Sequence, residues 1–351
     1  MEMTDRKKKI LKAIVNEYVM SAEPVGSRTL ARRYDFGVSP ATLRNDMADL
    51  EEANYLEQPH RSAGRIPTDK GYRFYVDALM DLKKLSNNQA KVIEDDYSVK
   101  NRELQDLIEE TSQLLSDLTN YTSMVLSPQI RESIFQHLQL VPISSKKVLI
   151  VLVTDTGLVK NRIIDVIKPI DSDQLANISR FLNERLYGLP LQNISDQLLL
   201  KLTKEFINKN TLEIKDLSFI NNEIFTNNNS KRGKIYFGGT AYILDQPEFN
   251  DINKVKTVLN VLEHDNLIYD IFNKTGDKSN HNSQSGVEVI IGSENYFEEI
   301  KDCSFVIATY NIKGRPIGKI GVLGPTRMEY AKVVESVRFI SEILSNLLTN
   351  K

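Results

Sequence analysis

A single cysteine, Cys303, makes an intrachain disulfide impossible, and tryptophan is absent altogether. No apolar run approaches the roughly 20 residues of a membrane-spanning helix, and the first residues lack a signal-peptide core. The expected setting is therefore a reducing cytoplasm, without a membrane. The four histidines, His60, His137, His264 and His281, lie far apart and lack metal-ligand spacing. No Ser/His/Asp arrangement stands out, and no candidate base lies near Cys303, so neither an enzyme nor a metal or cofactor is expected. Cys303 sits in the strand-like run Cys303-Ser304-Phe305-Val306 and reads as a buried structural thiol. The spaced glycines of residues 318–325 match neither a phosphate-binding loop nor a dinucleotide fingerprint. Net charge is only −2, so the whole chain is not a polycation. A chain of 351 residues is too long for one ordinary domain, and two or three are expected.

What is present begins with residues 38–50. Ser39 before Pro40 is a strong helix start: the serine oxygen can accept orphan first-turn amides, and proline loses no needed donor there. Leu43, Met47 and Leu50 recur at helical spacing and face a core. Ala41, Thr42, Arg44, Asn45 and Ala48 are left on other faces, as a DNA-recognition helix requires. Alone, the pattern also fits an ordinary capped surface helix. Its flanks favour recognition. A first helix is predicted over residues 5–20, with Ile10, Leu11, Ile14, Val15 and Tyr18 on one face. A short second helix is predicted from Ser27 as its cap, and Asp35-Phe36-Gly37 forms a tight turn into the third, a helix-turn-helix layout. Strand-like Tyr55-Leu56-Glu57 then leads into residues 58–68, which hold basic residues and no acid. Gly64 and two prolines suit a hairpin tip there. A positive loop beside a reading helix is a wing, placed for phosphate or the minor groove. Arg6, Lys7, Lys8, Lys9 and Lys12 form a further basic run, open to reading as a solvated face or as phosphate contacts.

Residues 37–50, and above all the run Arg61-Ser62-Ala63-Gly64-Arg65-Ile66-Pro67-Thr68-Asp69-Lys70-Gly71-Tyr72-Arg73-Phe74-Tyr75-Val76-Asp77, resemble the HrcA family of heat-inducible transcription repressors. The resemblance extends along the whole chain, more loosely after residue 80. It implies repression of chaperone operons through an inverted-repeat operator on double-stranded DNA, the CIRCE element, with the GroEL chaperonin supporting the active repressor.

Beyond residue 70, a short helix is predicted over residues 71–82, a polar linker over 86–91, and a long helix over 94–121. Strands are predicted at 123–126, 137–141, 148–153 and 162–167, and again at 287–291, 303–310 and 319–323. Helical runs fall at 172–187, 196–208, 253–272 and 328–348, and residues 235–243 form a glycine-broken strand pattern. Two strand blocks bracketed by long helices suggest an α+β domain interrupted by an insert, similar to the GAF-like domain of the family. The expected division is a winged helix-turn-helix DNA-binding domain (1–85), a discontinuous GAF-like domain (86–190 and 283–351) with a leading connector helix, and an insert (191–282) that by resemblance dimerises.

The leading expectation is a homodimeric winged-helix repressor, in which two recognition helices related by a two-fold axis read the two half-sites. Thr42, Arg44 and Asn45 are assigned to base edges, with Ser39 at the cap and on a phosphate. Arg61 and Arg65 anchor the wing, His60 is open to reading as a phosphate or groove contact or as a solvated loop histidine, and Arg28 and Lys70 are further phosphate candidates. Two rivals stay open: a metabolite-responsive regulator with a ligand in the GAF-like domain, and a winged helix that binds protein.

Overall fold

The computed structural model describes residues 3–82, 93, 103–128, 133–166, 169–209, 233–274 and 286–349. Three helices open the chain, α1 (Asp5–Ser21), α2 (Ser27–Arg33) and α3 (Pro40–Glu52). Thr4 caps α1 by accepting from the Lys7 amide, and Ala22 ends it in the left-handed conformation. Ser39 caps α3, with Pro40 in its first turn, as the sequence predicts. The start of α2 differs: Gly26, not Ser27, is the N-cap and supplies no side-chain bond. Val25 pairs with Arg65 as a β-bridge, which keeps the chain extended up to Gly26, and the helix begins at Ser27, one residue earlier than a Ser27 cap would place it. Ile10, Leu11, Ile14, Leu30, Leu43 and Leu50 are fully buried between the three helices.

A two-stranded ribbon follows, β1 (Leu56–Glu57) against β2 (Ile66–Pro67). Its tip is the His60–Ala63 turn, where the Ala63 amide donates to the His60 carbonyl at 2.8 Å. Gly64, predicted at the tip, instead presses its backbone on Pro24 and Val25; an added Cβ would come closer than 3.0 Å to both. Gly64→Ala should therefore cost about 1–3 kcal/mol of stability through overpacking, readable in urea unfolding; unchanged stability would mean that the ribbon does not bear on Val25. Thr68 caps α4 (Asp69–Phe74), two residues ahead of the predicted start, and Tyr75–Leu79 continues it as one wider turn. The predicted linker at 86–91 and the 94–102 part of the predicted long helix lie outside the described residues.

The main sheet is five-stranded and antiparallel. Its members are β3 (Thr122–Leu126), β7 (Ile235–Gly238), β8 (Val287–Ile291), β9 (Cys303–Ile312) and β10 (Arg315–Pro325), in the order β7-β3-β10-β9-β8. Lys313 and Gly314, both at positive φ, make the two-residue β9–β10 turn. On one face lie α5 (Leu104–Thr119) and α10 (Tyr330–Thr349), which bury Leu107, Ile108, Leu115, Val333, Val337 and Ile340 against Val306, Tyr310, Ile320 and Val322. On the other face lie α8 (Ile252–Glu263) and α9 (Asp265–Lys274). A single helix was expected over 253–272. The chain breaks at His264, whose carbonyl accepts from Leu267 and Ile268, and this bend lets Val258, Val261, Ile268 and Phe272 all reach the sheet. Cys303 is buried, and burial pushes its thiol up to about 12, so it stays protonated.

The remaining strands form a second unit. The sheet β4 (Phe135–Ser144), β5 (Lys147–Thr154) and β6 (Val159–Asp165) packs one face on α6 (Ser172–Leu186) and α7 (Asp196–Lys209), with a core of its own around Leu138, Ile150, Leu152, Leu182 and Phe206. This corrects the expected insert at 191–282. The unit that leaves the main sheet spans residues 133–209, whereas 235–238 returns to pair with β3 and 252–274 covers the same sheet. The predicted mobile loop at 278–286 lies outside the described residues except for Gly286.

The head formed by residues 3–82 sits on the main domain through one continuous apolar cluster. Polar contacts seal the junction. The Asp69 carboxylate accepts from the Ser293 amide at 2.8 Å. Arg73 pairs with Glu294, at 2.7 Å from its Nε, and donates to the Val289 carbonyl at 2.6 Å. Arg327 pairs with Glu248 at 2.6 Å and donates to the Val19 carbonyl at the end of α1.

Candidate nucleic-acid interface

The first two turns of α3 present exposed donors. Ser39 Oγ accepts from the Thr42 amide at 3.2 Å, and the two hydroxyls lie 3.0 Å apart. Thr42 is half-buried and its hydroxyl already belongs to this cap, so it is less free for a base edge than the sequence implies. Arg44 and Asn45 are exposed, as are Ala41 and Ala48 beside them. The stripe Leu43, Met47 and Leu50 is buried underneath and fixes which way they face. Ahead of the helix, the Asp35 carboxylate accepts from the Gly37 amide at 3.0 Å, and Gly37 turns at φ 66°. A side chain is disfavoured at that φ, which explains the glycine in the predicted tight turn.

The basic residues divide in two. Arg28, Arg44 and Arg61 are exposed and make no ion pair among the described residues, and His60 is exposed beside Arg61 at the ribbon tip. Gln58 holds that tip by donating to the carbonyls of Arg61 and Ala63 at 3.2 and 2.9 Å. Arg32 joins this outward set. It lies four residues after Arg28 on α2, so the two share a helix face, a spacing that was visible in the sequence. By contrast, Arg65 is turned inward: its Nε meets Glu51 at 2.7 Å with the side chain only 17% exposed. Lys70 donates to the Ala53 carbonyl at 2.9 Å, at the C-terminus of α3, and sits 4.5 Å over the Tyr55 ring. Arg65 and Lys70 hold the ribbon and α4 to α3. The structure thus brings Ser39, Thr42, Arg44 and Asn45 together at one helix start, puts His60 and Arg61 at a neighbouring tip, pairs Arg65 with Glu51, and leaves Lys70 exposed with its ammonium on the Ala53 carbonyl.

Acids shape the same helix. Asp46, Asp49, Glu51 and Glu52 fill its C-terminal half, and the first three face cations: Arg6, Lys7 and Arg65. Two members of the N-terminal basic run are therefore spoken for by α3. Lys8 pairs with Asp5 at 3.4 Å and Lys12 with Asp81 at 2.5 Å, which leaves little of that run for phosphate. No group of three or more potential metal ligands occurs among the described residues.

A family model described as the HrcA protein C terminal domain matches residues 105–334. At 46% identity over 349 residues the chain is similar to the heat-inducible transcription repressor HrcA of Pelotomaculum thermopropionicum, covering 99% of this chain and 97% of that one. At 45% identity over 347 residues it is similar to the protein of the same name from Carboxydothermus hydrogenoformans, covering 99% and 98% of the two chains. Among solved structures, a hypothetical protein determined at 2.2 Å superposes with a TM-score of 0.63 at 22% identity, over 99% of both chains. That likeness shows a shared fold.

Proposed function

The chain belongs to the HrcA family of heat-inducible transcription repressors, and from that premise we propose that it represses chaperone operons as a homodimer bound to an inverted-repeat operator of the CIRCE type. The observation that carries the reading is the surface formed by α3 and the ribbon tip. Arg44 and Asn45 stand exposed near the start of a capped helix, and Arg28, Arg32 and Arg61 flank them with no acid partner among the described residues. Arg is the commonest specific reader of guanine and Asn of adenine in the major groove, while arginines outside the groove meet phosphate. On this reading the head is a winged helix and the ribbon its wing.

The homodimer rests on a different surface. One face of the β4-β5-β6 sheet packs on α6 and α7; the other carries two cross-strand rows rich in apolar side chains, the second also holding His137, separated by the row Gln139-Val151-Asn161 and partly or fully exposed among the described residues. Val141, Leu149 and Ile163 form one row, Val153 and Val159 belong to the other, and Ile143 extends the first. Ile143, Val159 and Ile163 are each more than half exposed. An apolar sheet face of this kind is a protein-contact surface, and a second copy supplies the self-complementary partner that an inverted repeat requires. The dimerising role thus moves from residues 191–282 to the 133–209 unit. Support from the GroEL chaperonin is part of the same reading, implied by family resemblance. The cavity lined by Tyr121, Tyr242, Phe249, Val258 and Leu323, among the described residues, does not favour the metabolite-responsive alternative: its volume is about 10 Å³, about the space of one water.

The test is a mobility-shift titration of the purified protein at two salt concentrations, with an inverted-repeat duplex and a scrambled duplex of equal length, with and without chaperonin. Binding that strongly prefers the repeat is expected, with a larger active fraction when chaperonin is present. Equal affinity for both duplexes under both conditions would overturn the reading. In the same titration Arg61→Ala should reduce the salt slope by about one phosphate contact, whereas Arg65→Ala should leave the slope unchanged because its guanidinium is held by Glu51.

A further inference from the structure

A helix that enters a groove lined by phosphates is a poor place for four carboxylates, yet Asp46, Asp49, Glu51 and Glu52 occupy the second half of α3. Asp46 is the most unusual. It lies three residues after Leu43 and four before Leu50, on the buried stripe, where an apolar side chain would be expected. Its side chain is 7% exposed. Burying a carboxylate is costly unless it is paired and hydrogen-bonded. Arg6, from the first turn of α1, provides the pairing with both arms of its fork: Nε meets Oδ2 at 2.8 Å and Nη2 meets Oδ1 at 3.1 Å. Lys7 beside it takes Asp49 at 2.8 Å.

We propose that Asp46 and Arg6 are a positioning pair for DNA reading, fixing the rotation of α3 so that Arg44 and Asn45 meet the base edges in register. The inference rests on the DNA-reading function proposed above. Leu43, Met47 and Leu50 hold the helix against the core but are non-directional. A bidentate fork is directional and fixes both rotation and sliding. The demand is tight: turning a helix by about 10° moves a side-chain tip some 6 Å from its axis by about 1 Å, enough to spoil a bidentate contact with a base. Arg6 belongs to a basic run that the sequence left open to phosphate contact; its guanidinium is instead committed to the interior carboxylate. Asp46 and Arg6 touch no DNA in this scheme and act through Arg44 and Asn45.

The scheme predicts a sign that simple electrostatics reverses. Asp46→Asn removes a negative charge from a DNA-binding helix, and charge alone predicts equal or tighter binding. Positioning predicts weaker binding, confined to the operator. The experiment measures full-length protein on the inverted-repeat and scrambled duplexes across a salt series, for wild type, Asp46→Asn, Arg6→Lys and the double variant, with thermal unfolding of each. Asp46→Asn and Arg6→Lys are each expected to lose about tenfold on the operator, to keep the scrambled affinity and its salt slope, and to be no worse when combined, because they break one interaction. Arg6→Lys carries the test should Asp46→Asn unfold the head, since it keeps the charge on a side chain that is 45% exposed. Operator affinity unchanged in Arg6→Lys, or equal or improved in a folded Asp46→Asn, overturns the positioning role. Wild-type protein that fails to separate the two duplexes instead overturns the DNA-reading function itself, which no variant is needed to see.

Discussion

Leu149→Asp, or Ile163→Asp, should convert the protein to a monomer and lower its operator affinity by about 10²–10⁴-fold, the gain that joining two binding modules typically supplies. Leu149 is flanked by Val141 on β4 and Ile163 on β6, in the middle of that cross-strand row. An aspartate there stays solvated in the monomer but would have to be buried opposite apolar side chains in a dimer, a penalty of several kcal/mol. Because Ile163 is 55% exposed, substitution there should leave the monomer's own stability within about 0.5 kcal/mol. Sedimentation or light scattering at micromolar concentration reads the oligomer, and the mobility shift on a full repeat and on a half-site reads the consequence. The monomeric variant should bind both probes alike, at the affinity of one head. A variant that stays dimeric would place the interface on another surface, and one that is monomeric yet binds the full repeat at wild-type affinity would refute the two-head scheme.

The head was legible in the sequence because its determinants are local. Ser39-Pro40, the Leu43/Met47/Leu50 spacing and the glycine turn at residue 37 act within a few residues of one another, and the structure realises each. The body was less legible because its main sheet is assembled from distant pieces. Thr122–Leu126 pairs with Ile235–Gly238 across more than a hundred residues, and consecutive strands are ordinarily neighbours, so a strand pattern at 235–243 invited assignment to an insert. Periodicity cannot reveal that the 133–209 unit leaves the sheet and the chain then returns to it. The site divides the same way. Exposure of Arg44, Asn45 and Arg61 follows from helix phase and turn chemistry. The pairing of Arg65, Lys70 and Arg6 depends on tertiary partners, Glu51, the Ala53 carbonyl and Asp46, which no local pattern identifies. A basic run thus overstates the charge available to DNA whenever the neighbouring helix is acidic.

Arg44→Ala tests the reading helix where the two kinds of contact part company. Arg44 is exposed on α3, unpaired among the described residues, and one turn beyond the Ser39 cap. If it reads a base, its loss costs about 1–3 kcal/mol per half-site. With two half-sites in the repeat, the operator affinity should fall by about 30-fold to 10⁴-fold, since each 1.4 kcal/mol is tenfold. Scrambled DNA should lose little, and a duplex altered at the base pair Arg44 contacts should be bound equally by wild type and variant, because the interaction is then absent from both. Stability should not move, as the side chain is exposed. Equal weakening on operator and scrambled duplexes, with a reduced salt slope, would make Arg44 a backbone contact and pass the reading of sequence to Asn45. Asn45→Ala in the same titration then settles the matter from the other side: the altered base pair that restores parity for Asn45 should differ from that for Arg44, because the two side chains point about 100° apart around the helix axis.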